Sequence, residues 1–203
     1  MAGRKSWDVV IIGGGVIGSA VAYHLTRMDN ALKVAVGERD PTYERASTTL
    51  SMANLRVQFS LAENVRISRY TSEIFDRFEE EMQVGDDRPN IALCREGNLF
   101  LVDEGSRTSA EKSLDLQRGL GCDVEWMAPR DIKDRYPLYD ADQYAGGTFG
   151  PRDGHFDAYA VLMAYKAKAV SQGASFVTGE AAGLKKTGTR IVSVELASGE
   201  SLV

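Results

Sequence analysis

Val9-Val10-Ile11-Ile12-Gly13-Gly14-Gly15-Val16-Ile17-Gly18 is the stretch that decides the fold of this chain. Four β-branched apolar residues in a row read as a buried strand. The glycines that follow, before the helical pattern Val16, Ile17, Ala20, Val21, His24 and Leu25, read as a turn into a helix. Gly13 allows the tight turn. Gly15 offers no side chain, so that a pyrophosphate can sit against the backbone at the amino end of the helix, beside Val16 and Ile17. Gly18 lets the helix lie close on the strand. A second apolar run, Lys33-Val34-Ala35-Val36-Gly37, closes on Glu38, 20 residues after Gly18. A carboxylate at that strand end can accept both ribose hydroxyls of an adenosine and repels a 2′-phosphate. The pattern predicts a dinucleotide clamp and by itself leaves NAD and FAD equally open.

The composition bounds the function class. With 203 residues, 43% apolar and 26% charged, the chain can bury a full core and disorder is not expected. A formal charge of −5 with the two signs interspersed argues against a nucleic-acid partner. The opening Met1-Ala2-Gly3-Arg4-Lys5-Ser6-Trp7 runs directly into the first strand, and no apolar run approaches the length of a membrane span, so a cytoplasmic protein is expected. Cys94 and Cys122 are far apart and form no C-x-x-C pair, and His24 and His155 form no readable metal-ligand cluster.

Further along, Ala46-Ser47-Thr48-Thr49-Leu50-Ser51-Met52-Ala53 is too rich in small and hydroxyl residues for an element interior. Ser60-Leu61-Ala62-Glu63 has the spacing of a capping box, opening a long helix that ends near Val84-Gly85. Ile91 to Cys94 and Leu99 to Val102, with Glu96-Gly97-Asn98 between them, predict a hairpin. A helix from about Ser106 to Leu120 follows, then strands around Val124 to Trp126 and Tyr144 to Phe149 flanking a short helix at Ala128 to Ile132. Asp157 caps a helix that stops at Gly173; Ser175 to Thr178 is a strand, and residues 181 to 203 form strands with turns at Thr187-Gly188 and Ser198-Gly199. The expected architecture is α/β. A Rossmann-like first segment (residues 1–85) is followed by an inserted, partly antiparallel layer (86–154), and a second, incomplete segment (155–203) returns to the first. A last residue, Val203, still in a strand pattern leads us to expect that the chain is an amino-terminal fragment.

The glycine turn, Glu38-Arg39, the Ser47-Thr48-Thr49 segment and Asp153-Gly154-His155-Phe156-Asp157 before a helix ending in Gly173-Ala174 together resemble the glycine/D-amino-acid oxidase family, which includes sarcosine oxidases and dimethylglycine dehydrogenases. The resemblance covers the whole chain but only the amino-terminal half or so of such a protein. It implies FAD as the cofactor. Gly13, Gly15 and Gly18 would hold the pyrophosphate, Glu38 the adenosine ribose with Arg39 near the same end, and Ser47 and Thr48 would approach the pyrophosphate and flavin. A segment like Glu180-Ala181-Ala182 would offer backbone to adenine. Arg39 reads equally well as a solvated charge, and Ser47 and Thr48 as turn-satisfying hydroxyls.

Arg56 matches the arginine that in sarcosine oxidases clamps the substrate carboxylate, a task suited to a guanidinium fork; a structural salt bridge is the competing reading. The chain departs from the family pattern at Ala53, where an arginine over the flavin favours reaction with oxygen, and at Leu50, which replaces a glycine. No histidine lies between residues 44 and 60 for a covalent flavin link, and His155 stands one residue before an FMN-linked position filled here by Phe156. A linking cysteine would lie beyond Val203. The implied function is FAD-dependent oxidation of the C–N bond of a secondary or tertiary amino acid, with a small-molecule amino-acid substrate and with a partner subunit or a carboxyl-terminal half completing the site. The rivals are an NAD-dependent dehydrogenase and a non-catalytic flavoprotein or assembly factor.

Overall fold

The computed structural model describes residues 6–203; the basic pair Arg4-Lys5 lies outside them. In chain order the elements are β1 (Val9–Ile12), α1 (Val16–Met28), β2 (Val34–Glu38), β3 (Asn54–Leu55), α2 (Ala62–Phe75), α3 (Phe78–Glu81), β4 (Asn98–Val102), α4 (Arg107–Gly119), β5 (Glu125–Met127), α5 (Pro129–Arg135), β6 (Gly146–Gly150), β7 (Gly154–His155), α6 (Ala158–Ser171), β8 (Ser175–Thr178), β9 (Ala181–Thr187), β10 (Arg190–Leu196) and β11 (Ser201–Leu202). Among the described residues no helix is long and apolar enough to cross a membrane.

The chain divides into two compact units. The first comprises the residues up to Met52, Glu79–Ile91 and Asp157–Val203; the second comprises Ala53–Phe78 and Ala92–Phe156. The division departs from the sequence boundaries (1–85, 86–154 and 155–203) at residues 53–78, 86–91 and 155–156. Residues 53–78 join the second unit, where β3 pairs antiparallel with β7, Asn54 opposite His155 and Leu55 opposite Gly154.

The first unit is built on a parallel sheet in the order β1-β2-β8. Val9 to Ile12 pair with Val34 to Gly37, and Ala35 to Glu38 with Ser175 to Thr178. The central strand is buried from Val34 to Gly37, as a strand covered on both faces must be. Alternation assigns the two faces. On one, Ile11 lies under Gly18 of α1 and Phe176 under Lys166 of α6. On the other, Val10 and Val177 pack with Val194, Leu196 and Leu202 of the antiparallel meander β9-β10-β11. Helices and meander thus cover opposite faces. The helices α1 and α6 are joined by the Tyr23 and Tyr165 rings, 5.6 Å apart, and by Thr26 Oγ1 donating to Gln172 Oε1 at 3.0 Å.

The second unit holds the antiparallel sheet β4-β6-β5. Met127, Ile132, Ala141 and Phe149 form one core cluster in it, and Val57, Val65, Leu114, Cys122 and Val124 another. Two expectations fail here. The hairpin from Ile91 to Val102 is absent: β4 pairs with β6 over its full length, while Cys94 makes a single bridge with His155. Ala92 at φ 48 interrupts the extended backbone that a strand over 91–94 would need. The long helix after Ser60 stops at Phe75, and its cap is Leu61 without a side-chain hydrogen bond rather than a Ser60 capping box.

Candidate functional site

The glycine turn of the first unit is fixed from four sides. Gly13 has φ +95, a conformation that only glycine adopts without strain, and a Cβ built there would meet nothing within 4 Å. Its open side faces no protein atom, as a cradle for a ligand requires. Gly18 is glycine for the opposite reason: a Cβ would stand 1.9 Å from the Gly13 carbonyl oxygen. The helix therefore sits directly on the turn.

Three amides of the turn are already engaged. Gly13 N–H donates to the Gly37 carbonyl at 2.8 Å, Gly14 N–H to Glu38 Oε2 at 2.7 Å, and Val16 N–H to Thr48 Oγ1 at 3.1 Å. Among the described residues no protein acceptor takes the amides of Gly15 and Ile17, which point out of the first turn of α1 with the positive end of its dipole. A diphosphate fits that donor set. Thr48, having accepted from Val16, keeps its own hydroxyl hydrogen for an anion. A Cβ on Gly15 would meet only Thr48 Oγ1, at 3.4 Å, so protein packing alone does not demand glycine there.

Glu38 is held in place before any ligand arrives. Its second oxygen accepts from Asp40 N–H at 2.9 Å, so the carboxylate bridges the glycine turn and the start of the next loop, with lone pairs left for two hydroxyls. Gly179 N–H donates to the Glu38 carbonyl at 2.8 Å and brings the segment leading to Ala182 alongside; Ala182 itself is exposed on β9. Arg39 is exposed and stands 3.9 Å from Glu180 in a loose surface pair. Ser47 is exposed as well. The turn therefore gathers Gly13, Gly15, Val16, Ile17, Gly18, Glu38 and Thr48 around one space, with Arg39, Ser47 and Ala182 on adjoining segments.

Three supporting residues escape sequence reasoning. Ser19, fully buried, donates to the Gly14 carbonyl at 2.8 Å. Tyr43, buried at φ 60, puts its hydroxyl 3.3 Å from where a Gly14 Cβ would be. Lys166 Nζ donates to that hydroxyl at 3.0 Å and lies over the Tyr43 and Phe176 rings. The middle glycine of the triplet is the available signal, since a Cβ on Gly14 would meet Glu38 and the Tyr43 hydroxyl.

In the second unit Arg56 is half-buried, with its guanidinium 4.9 Å from the Phe59 ring centroid and 5.4 Å from that of Phe100. Among the described residues it has no salt bridge, and its charge reaches the buried carboxylate of Asp153. Its neighbour in sequence is anchored by Asp153, which is 1% exposed and accepts from Val57 N–H at 3.0 Å and from Gln58 Nε2 at 2.9 Å. Burial pushes the Asp153 carboxyl above its usual range, against the hydrogen bonds and the Arg56 charge, which pull it down.

Residues 8–202 match the family model described as DAO, FAD dependent oxidoreductase. The chain belongs to this family. Its members use FAD, so the cofactor class left open by the glycine pattern is FAD and the NAD reading falls. The chain is 39% identical over 178 residues to FAD-dependent oxidoreductase domain-containing protein 1 of Xenopus laevis, covering 85% of this chain and 36% of that protein. It is 29% identical over 170 residues to mitochondrial dimethylglycine dehydrogenase of Homo sapiens, covering 82% of this chain and 19% of the relative. The L-proline dehydrogenase structure from P. horikoshii superposes with a TM-score of 0.85 at 24% identity, over 98% of this chain and 51% of that one, which is a likeness of fold. The DAO chain thus spans between about a fifth and a half of the proteins it matches here.

Proposed function

We propose that the protein containing this DAO chain oxidises the C–N bond of a secondary or tertiary amino acid. Bound FAD supplies the two-electron acceptor. The substrate carbon next to nitrogen would lose a hydride equivalent as the nitrogen lone pair completes a C=N bond, an iminium ion from a tertiary amine or, after loss of the N–H proton, an imine from a secondary one. Water would hydrolyse either to an amine and a carbonyl compound. The chain's own residues bind and orient. Gly13, Gly15, Val16, Ile17 and Gly18 carry the cofactor pyrophosphate with Thr48 and Ser47; Glu38 accepts the ribose hydroxyls, and Arg39 and Ala182 border the adenosine. Arg56 anchors the substrate carboxylate and so fixes the direction of the C–N bond.

The observation that supports this reading is the state of Arg56: a half-buried guanidinium laid on two phenyl rings, making no salt bridge among the described residues and acting on buried Asp153 only through its charge, can receive a carboxylate from elsewhere. Dimethylglycine, named in one relative, has that chemistry: a tertiary amine one carbon from a carboxylate. The cytoplasmic placement read from the sequence stays part of the proposal. The test is anaerobic mixing of the full-length flavoprotein with N-methylated amino acids and with the same amines lacking the carboxylate. Bleaching of the flavin by the first group only is expected. No bleaching by any N-alkyl amino acid contradicts the reading and favours a non-catalytic flavoprotein.

A further inference from the structure

Outside the glycine turn and the segment that carries Arg56, one group of side chains has a composition that neither uses. Cys94, Glu96 and His155 all lie in the second unit, all are exposed, and their ligand atoms lie within 4.8 Å of one another. The backbone explains why they meet. Cys94 N–H donates to the His155 carbonyl at 2.9 Å and His155 N–H returns the bond to Cys94 at 3.0 Å. Residues that exchange both bonds stand directly opposite each other in an antiparallel pair, with side chains on the same face. The next ladder bond, Gly97 N–H to the Asp153 carbonyl at 2.9 Å, comes one residue later than a regular ladder would place it. The extra residue makes a bulge at Arg95-Glu96, and bulges re-aim side chains. Here it turns Glu96 onto the imidazole, with Oε1 2.9 Å from His155 Nδ1.

We propose that Cys94, Glu96 and His155 form a binding site for a divalent transition-metal ion of the zinc type. A thiolate, an imidazole and a carboxylate on one face select such an ion over magnesium or calcium, which prefer all-oxygen shells. Metal–ligand lengths of about 2.0–2.3 Å place tetrahedral ligand atoms about 3.3–3.7 Å apart, so the three groups reach this arrangement by side-chain movements of about 1 Å. Three protein ligands leave the fourth position to water. The ion would tie the segment around Cys94 to β7, whose other edge carries β3 and, one residue on, Arg56. The site does not depend on the proposed substrate or on FAD.

The experiment is a titration of the purified protein with zinc against a chromophoric chelator, repeated with cobalt(II) to read the thiolate charge-transfer band. Mass spectrometry follows alkylation of Cys94, with buried Cys122 as internal reference. One ion per chain, a cobalt–thiolate band, and metal protection of Cys94 are expected, with C94S, H155Q and E96Q each weakening affinity at least about tenfold. Protection is read on the unmodified chain and does not depend on any variant folding. Absence of stoichiometric binding, or binding that H155Q and E96Q leave unchanged, overturns the proposal, the second because it leaves only adventitious capture by the thiol.

Discussion

Thr48 Oγ1 accepts the backbone N–H of Val16 at 3.1 Å, a contact that reaches back 32 residues to the first helical position of α1. Gly15, the N-cap residue, has no side chain to do this, so the cap is supplied from a distant loop. The same hydroxyl keeps its own hydrogen, which in the proposed function goes to the cofactor. Thr48→Val keeps the shape and removes both bonds. Loss of a cap costs about 1 kcal/mol, which lowers the melting temperature of the cofactor-free protein by about 2–4 °C for a chain of this size. FAD affinity should fall about tenfold further if a phosphate bond worth about 1.4 kcal/mol goes with it. Thr48→Ser should restore both. Calorimetry of the apoprotein and flavin fluorescence titration read the two effects separately.

Gly13 and Gly18 are glycines for different reasons, and alanine should expose the difference. At Gly13 there is room but φ is +95, so the cost is backbone strain of about 1–3 kcal/mol. At Gly18 the added carbon meets the Gly13 carbonyl oxygen at 1.9 Å, and helix and turn must part. The expected order of apoprotein stability, measured by urea unfolding, is wild type, then G13A, then G18A well below. Equal losses would mean that the helix does not rest on the turn as described.

Asp153 provides a pH signature. Burial raises its carboxyl above the ordinary 3.8, so over that window the folded chain holds its proton more firmly than the unfolded chain does. The unfolded state then binds fewer protons, and the stability contributed by this group falls as pH rises from 3.8 through the raised value. Asp153→Asn has no proton to lose. The difference in unfolding free energy, wild type minus D153N, should decline with rising pH across this range and flatten above it. A difference rising with pH would mean that the hydrogen bonds from Val57 and Gln58 outweigh burial.

The isolated chain should hold FAD weakly. Ile12 and Ile17, at the two ends of the glycine turn, are 58% and 75% exposed, and Leu50 and Met52, beside the Thr48 segment, are 72% and 88% exposed. Apolar side chains left in water around a cofactor turn lack the enclosure that tight retention needs. Equilibrium dialysis of residues 1–203 against FAD, beside the full-length protein, should show retention only by the latter. Tight, stoichiometric binding by the isolated chain would refute this.

The parts legible in the sequence were those set by neighbours along the chain. The run from Val9 to Ile12 and the run ending at Glu38 are strands because buried parallel strands are continuously apolar, and β8 and α6 were readable from Ser175 to Thr178 and from the Asp157 cap. What failed depended on distant partners. Asn98 to Val102 left its expected hairpin because β6 offers a longer ladder, and Ser60 lost its capping role when the helix began one residue later. Of the candidate site, the glycines and Glu38 follow from a local rule. The Thr48 cap, Tyr43 under Gly14 and the two rings beneath Arg56 follow only from the fold.

The most direct test of the account is the anaerobic rate of flavin reduction in full-length protein carrying Arg56→Met, measured against concentration of an N-methyl amino acid and against the matching amine without a carboxylate. An unchanged flavin spectrum is expected, with a half-saturating concentration for the amino acid raised at least about tenfold, as for loss of a charge-assisted bond of about 1.5–3 kcal/mol. Arg56→Lys should recover part of it, and the amine should be indifferent to either change. Saturation by the amino acid at the same concentration in wild type and Arg56→Met would contradict it.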